Sequence, residues 1–253
     1  MAAESPSIRI LIATPAFDRT VTLEYFSSIT QLLRSFSRKH PDIDFAIRTI
    51  SMSVIHDARN FFASVMLATP GITHLLFVDA DMGFQPKLIE KMIGINRPIV
   101  AAAYPTRRLN ESKYLQTAKS VSDPEKAISL SAEFVAADSI FPGQGTGEGF
   151  LRAASAGTGV MLIQRHVFEM MQQKFASLWV ANGSKAFREL GHSGGVFQCF
   201  APLPNEEGLL LSEDRSFCRR WVEGCGGEIW VCVDEPVTHV GRMAFRARMS
   251  DQW

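Results

Sequence analysis

Cysteine is scarce in these 253 residues and confined to the last quarter, where Cys199, Cys218, Cys225 and Cys232 are the full complement. Their spacings of 19, 7 and 7 include no C-x-x-C pair, which argues against a structural zinc site and favours buried free thiols in a reducing compartment. Net charge is missing too. Lys plus Arg number 26 and Asp plus Glu number 26, so the basic excess that a general nucleic-acid binder needs is absent. No stretch reaches the roughly 20 apolar residues required to span a bilayer. The N-terminal "MAAESPSIRILIATP" has no basic region followed by a long apolar run, so no signal peptide is expected. A cytoplasmic protein without a transmembrane segment is the expectation, with peripheral membrane contact left open. No internal repeat and no clear linker interrupts the chain, so one domain over residues 1–253 is expected.

What is present is alternation. Apolar residues make up 46% of the chain, enough for a sizeable core. "IRILIATP" reads as a buried strand ending at Pro15, followed by a helix in "VTLEYFSSITQLLRSFSRK", with Leu23, Phe26, Ile29, Leu33 and Phe36 at helical spacing. "DFAIRTIS" is a second strand and "DARNFFASVMLAT" a second helix, closed by Pro70-Gly71. "THLLFVDA" is a third strand, "PKLIEKMIGI" a helix opened by Pro86, and "PIVAAAYP" a fourth strand. That order predicts an α/β fold with a mostly parallel sheet flanked by helices. Residues 106–150 break the pattern, being polar and then glycine-rich, and read as a loop or a short antiparallel excursion. "GTGVMLIQ" restores a strand, "RHVFEMMQQKF" and "SEDRSFCRRWVEG" are helices, "EIWVCVDE" is a last strand, and 242–253 ends a tail.

Several constellations stand at predicted strand ends. Asp79 and Asp81 close an apolar strand, where carboxylates are costly unless a cation meets them. Ligands of open α/β sheets bind outside the carboxyl ends of strands, and two hard oxygen donors suit Mg²⁺ or Mn²⁺. Both side chains can reach one ion only if the backbone bends at Ala80; an ordinary cap and turn before Pro86 is the competing explanation. Glu213 and Asp214 fall in a first helical turn, where the helix dipole favours them, and a carboxylate beside a bound hydroxyl can act as a general base. His239 follows the last strand, and Asp18, Arg19, Asp57 and Arg59 follow the first two. Gly157 and Gly159 bound a turn and lack the dinucleotide G-x-G-x-x-G spacing.

Taken in order, "TP", "ARN", "FVDADM", "AAAYP", "GTGVMLIQRHVFE", "LLSEDRSFC" and a late histidine make the chain resemble the GT-A glycosyltransferases. It is most similar to small bacterial family-2-like members, with a fainter likeness to the fungal Anp1-type mannosyltransferases. The likeness covers roughly residues 8–241 and implies a GT-A (nucleotide-diphospho-sugar transferase) fold. It implies transfer of a sugar from a UDP- or GDP-sugar to a glycan or other hydroxyl acceptor, with Mn²⁺ or Mg²⁺ as cofactor. The metal ligands implied are Asp79, Asp81 and His239. The nucleotide-sugar site would comprise Thr14, Pro15, Arg19, Asp57, Arg59, Asp79, Ala80, Gly157 and Gly159. In inverting members the Asp of the "ED" pair takes the acceptor proton, a role falling on Asp214 beside Glu213.

"RRW" lacks the Gln of the processive synthases' Q-x-x-R-W, which points to a non-processive enzyme. Trp221 is either a platform under an acceptor sugar or a core residue. Two further readings compete. A nucleotidyltransferase that forms sugar nucleotides usually carries a glycine-rich loop after its first strand, and "TPAFDRT" has no glycine. A non-catalytic nucleotide-sugar or glycan-binding module would not need Asp214.

Overall fold

The computed structural model describes residues 8–241, so the expected tail 242–253 lies outside the described residues. The chain runs β1 (Ile8–Pro15), α1 (Leu23–Lys39), β2 (Ile43–Ile50), α2 (Ile55–Ala68), β3 (His74–Val78), β4 (Met82–Phe84), α3 (Pro86–Gly94) and β5 (Ile99–Ala102). It continues with β6 (Pro105–Leu109), α4 (Glu111–Thr117), α5 (Pro124–Ser131), β7 (Ala132–Phe134), β8 (Ile140–Gly145), β9 (Phe150–Ala153), β10 (Val160–Gln164) and α6 (Arg165–Lys174). Last come β11 (Trp179–Val180), α7 (Lys185–Glu189), β12 (Val196–Phe197), α8 (Glu213–Arg219), β13 (Ile229–Cys232) and β14 (Val237–His239).

Eight strands form the central sheet in the order β2-β1-β3-β10-β5-β13-β9-β8. Six point one way, while β10 and β9 run against their neighbours. The fold is therefore α/β with a mostly parallel sheet, as the alternation predicts. The departure is local: β3 and β5 are not neighbours, because β10 arrives late in the chain and slots antiparallel between them.

The inner strands are apolar without alternation because both faces are covered. Ile10, Ile12, Leu76, Val78, Val100 and Leu162 pack under α1 and α3, whereas Leu11, Ala13, Leu75, Phe77, Ala101 and Met161 pack under α2, α6 and α8. The face of α1 differs from the predicted one. Tyr25, Ser28, Ile29, Leu32 and Phe36 are buried, but Leu23 and Phe26 are exposed. The rotation is set by Ser28, whose hydroxyl accepts the Phe84 N–H at 2.8 Å and ties α1 to β4. Helix α2 has no basic residue in its last turn, and Arg165 of α6 takes that role by donating to the carbonyls of Met66, Leu67, Thr69 and Ile72.

The predicted loop 106–150 is more ordered than its composition suggests. Asn110 and Asp123 cap α4 and α5 with side-chain oxygens, and β8–β9 extend the sheet edge. No described helix is long and apolar enough to cross a membrane.

All four cysteines are free, with Cys199, Cys218 and Cys232 buried. Burial pushes the Cys218 thiol up to about 12 and that of Cys232 to about 11, and raises Cys199 as well. Such thiols are poor nucleophiles at neutral pH. Ellman's reagent should therefore react quickly with at most the part-buried Cys225 in the native protein, and with all four cysteines after unfolding in guanidinium. Rapid native labelling of Cys199, Cys218 or Cys232 would contradict this packing.

Candidate functional site

Strand β3 is buried through Val78 and emerges at Asp79, after which the chain turns at Ala80–Asp81. Hydrogen bonds from several elements hold the turn, among them the Val240 N–H to the Asp81 carbonyl at 2.9 Å. The Met82 N–H donates to the Asp79 carbonyl at 3.1 Å, the Asp79 N–H donates to the Gly159 carbonyl at 2.9 Å, and Thr22 donates both its N–H and its hydroxyl to the Ala80 carbonyl. Beyond the turn, β4 pairs antiparallel with β14, which sets His239 opposite Met82.

Arg59 is the main cation behind this loop. Its side chain is 2% exposed, and the guanidinium lies 5.0 Å above the Phe77 ring. Nη2 donates to both oxygens of Asp79, at 2.9 and 3.1 Å, while Nε reaches Glu213 Oε1 at 3.4 Å. Burial alone would lower the Arg59 pKa, but the Asp79 and Glu213 charges reverse this and hold it above its ordinary value. Burial pushes the Asp79 carboxyl up, Arg59 pulls it down and Asp81 adds to the rise, leaving it raised overall. Two like charges on one turn make a further cation favourable there. Arg59 Nη1 is buried with no hydrogen-bond partner among the described residues.

Asp81 faces the other way. Its Oδ2 accepts from Arg107 Nη1 at 3.1 Å and lies 3.5 Å from His239 Nε2. Burial works to raise the Asp81 pKa, but His239 and Arg107 outweigh it and lower it. The other ring nitrogen of His239, Nδ1, sits 2.8 Å from the Pro105 carbonyl, which can only accept, so Nδ1 carries the hydrogen. Nε2 is then the ring nitrogen that faces Asp81. A backbone carbonyl holding the far nitrogen is the usual support of a metal-binding imidazole.

Helix α8 supplies the third group. Ser212 occupies its N-cap position, yet the hydroxyl donates to Asp214 Oδ1 instead of capping the backbone. Asp214 Oδ1 also accepts the Arg215 N–H at 2.7 Å, and the Arg215 guanidinium clamps Asp138 through two contacts of 2.9 Å. Beneath the site lies Tyr104, a residue that sequence reasoning missed. Its hydroxyl accepts the Gly159 N–H at 3.2 Å, its ring meets His239 edge-on at 5.4 Å, and its pKa is raised by burial first and then by the Asp79 and Asp214 charges. The available signal was an aromatic residue between an apolar strand and a proline in "AAAYP".

Asp79, Arg59 and Glu213 come together, as do Asp81 and His239. The expected three-ligand set of Asp79, Asp81 and His239 does not assemble, because Arg59 occupies Asp79; among the described residues no group of three or more His, Cys, Asp or Glu could hold a metal. Asp81 and His239, a carboxylate oxygen and an imidazole nitrogen 3.5 Å apart, still fit a divalent ion such as Mn²⁺ as two of its ligands. Thr14 departs from expectation, since it is fully buried with its hydroxyl 2.6 Å from that of Tyr25. Gly157 and Gly159 are buried against Tyr104, where an added Cβ would lie 2.0 Å from the hydroxyl oxygen and 2.8 Å from Cζ respectively. These glycines permit close packing and are not a face open to a donor. Trp221 is a core residue, buried with its indole N–H on the Glu228 carbonyl, and it offers no platform to a sugar. Pro15 and Ala80 are half-buried, and Arg19 is exposed with a left-handed φ of 63°. Asp57, also half-buried, lines a small pocket with Asn60 and Asn182. A larger cavity of about 910 Å³ is lined in part by Thr106, Arg107, Arg108, Phe134, Asp234 and His239.

No family model matches the chain, and no curated protein matches it in sequence. Solved structures do match at a distance. A197 from STIV is 13% identical over 93% of this chain and 87% of its own, with a TM-score of 0.44. GalNAc-T7, solved with UDP, GalNAc and Mn²⁺, is 10% identical over 93% of this chain with a TM-score of 0.43, but this chain spans only 43% of that protein. The inositol-1-phosphate CTP transferase from T. maritima is 12% identical over 93% of this chain and 89% of its own, with a TM-score of 0.40. Likeness this remote carries no functional argument.

Arg59→Met retains the apolar stem and strands two carboxylates, so it should lower stability by about 3–5 kcal/mol in urea unfolding. Adding Asp79→Asn should restore part of that loss, because one unpaired charge is removed with it. A cost under about 1 kcal/mol for Arg59→Met would show that the three groups do not act as a unit.

Proposed function

We propose that the chain is a non-processive glycosyltransferase built on a single GT-A-like domain, moving a sugar from a UDP- or GDP-sugar to an acceptor hydroxyl in the cytoplasm. The observation that carries this reading is that one buried guanidinium bonds both Asp79 of "FVDADM" and Glu213 of "SEDRSFC". Two motifs that stand 134 residues apart in sequence thereby belong to one site. Asp81 and His239 would hold a Mn²⁺ or Mg²⁺ ion beside the donor diphosphate, and such an ion would supply charge neutralisation to the leaving group. Asp79 stays on Arg59 and orients the turn. Glu213, held by the same arginine, anchors the first turn of α8.

Asp214 is then the base. Its Oδ1 is fixed by Ser212 and the Arg215 N–H, which leaves Oδ2 to accept the proton of the acceptor hydroxyl. In the transfer the acceptor oxygen bonds to the anomeric carbon as the bond to the diphosphate breaks, the electron pair leaves with the diphosphate, and the proton passes to Asp214. Pro15, Arg19 and Asp57, at the ends of β1 and the start of α2, supply the rim for base and ribose.

A thermal-shift panel of UDP-, GDP-, CMP- and dTDP-sugars, with and without Mn²⁺, tests the reading. Metal-dependent stabilisation by UDP- or GDP-sugars is expected, reaching about 2.7 kcal/mol at a hundredfold excess over Kd. Asp81→Ala should abolish it, whereas Asp214→Ala should keep binding and lose transfer. No response to any nucleotide in a folded sample would overturn the assignment. Undiminished transfer by Asp214→Ala would favour a different base.

A further inference from the structure

Two arginines hold the two aspartates of the same turn, and their environments are opposite. Arg59 is 2% exposed, whereas the Arg107 side chain is 58% exposed. Arg107 reaches Asp81 through a single contact, Nη1 to Oδ2, and its guanidinium makes no other hydrogen bond or ion pair among the described residues. The oxygen it occupies is the one that His239 Nε2 faces. An ion bound between that oxygen and that nitrogen would meet the Arg107 charge at close range, and two cations there repel each other.

The surroundings give the guanidinium somewhere to go. β6 pairs with β7 only at Pro105 and Leu109, with an irregular register between, and Arg107 lies in that interval. The base of its side chain is confined, since an added Cβ at Gly241 would lie 2.9 Å from Arg107 Cβ. Arg107 is among the residues lining the cavity of about 910 Å³. Exposed ion pairs are worth roughly 0–1 kcal/mol, against about 3–5 kcal/mol for stranding a buried one. The Arg59–Asp79 pair is therefore the costlier to break, and the Arg107–Asp81 pair the cheaper.

We propose that Arg107 is a displaceable internal counter-ion: it neutralises Asp81 while no divalent ion is bound, and leaves for the adjoining cavity when the ion arrives. This rests on the reading of Asp81 and His239 as metal ligands. The consequence is selectivity for the metal–nucleotide over the free ion, because the bare ion must compete with Arg107 whereas a nucleotide brings phosphate oxygens that the released guanidinium can meet.

The test is binding of Mn²⁺ alone to the full chain, followed by electron paramagnetic resonance of the free ion, for wild type, Arg107→Gln, Arg107→Lys and Asp81→Asn. Arg107→Gln should bind Mn²⁺ roughly three- to tenfold more tightly than wild type. Arg107→Lys, which keeps the charge, should stay within about twofold of wild type, and Asp81→Asn should lose the site. Equal or weaker binding by Arg107→Gln, with binding still dependent on Asp81, would overturn the counter-ion role and leave the metal reading standing. Absence of Asp81-dependent Mn²⁺ binding in every variant, both without and with UDP, would overturn both.

Discussion

A guanidinium with 2% of its side chain exposed is costly to bury unless carboxylates surround it, and that constraint organises this protein. Arg59 sits on α2, under the ends of β1 and β3, and its two partners come from a strand end and a distant helix start. Asp79 cannot swing away without leaving Arg59 to Glu213 alone, and α8 cannot slide without withdrawing Glu213. The rest of α2 follows the same logic. Asn60 accepts the Phe200 N–H and Ser64 accepts the Phe197 N–H, so one helix face pins the segment that leads towards Asp214.

The turn from Asp79 to Met82 divides its charges between two regimes. On the buried side the Arg59 pair builds the site, and on the exposed side the Arg107–Asp81 contact can yield. On the proposed reading this division serves ion binding, because the Asp79 carboxylate is held by a buried partner and the Asp81 carboxylate by an exposed one. Tyr104 lies under both, bracing the Gly159 strand entrance and the His239 ring together.

How much of this could be read from the residues depends on how local each cause is. The apolar run "HLLFV" ending in Asp79 reads directly, because strand burial and turn chemistry act within a few residues. The helix caps at Asn110 and Asp123 were present in the polar stretch after residue 105, yet its low hydrophobicity hid α4 and α5. The antiparallel insertion of β10 has no local signature, since pairing partners are chosen by the whole sheet. The buried face of α1 departs from the apolar spacing at Leu23 and Phe26, which are exposed, while Ser28, bonded across to Phe84, takes a place on it. Among the site residues, Asp81 with His239 and Arg59 with Asp79 meet, while Thr14, Gly157, Gly159 and Trp221 turn inward. A residue type at a strand end signals proximity to the site, but whether it faces inward is decided by neighbours outside its own motif, Tyr25 for Thr14 and Tyr104 for Gly159.

The most direct measurement is anomalous diffraction at the manganese edge from crystals of the full chain grown with Mn²⁺ and UDP. A peak within coordination distance of Asp81 and His239 is expected, with Asp79 still paired to Arg59. A peak coordinated by Asp79 with Arg59 displaced, or no peak near Asp81 while UDP is bound, would contradict the account.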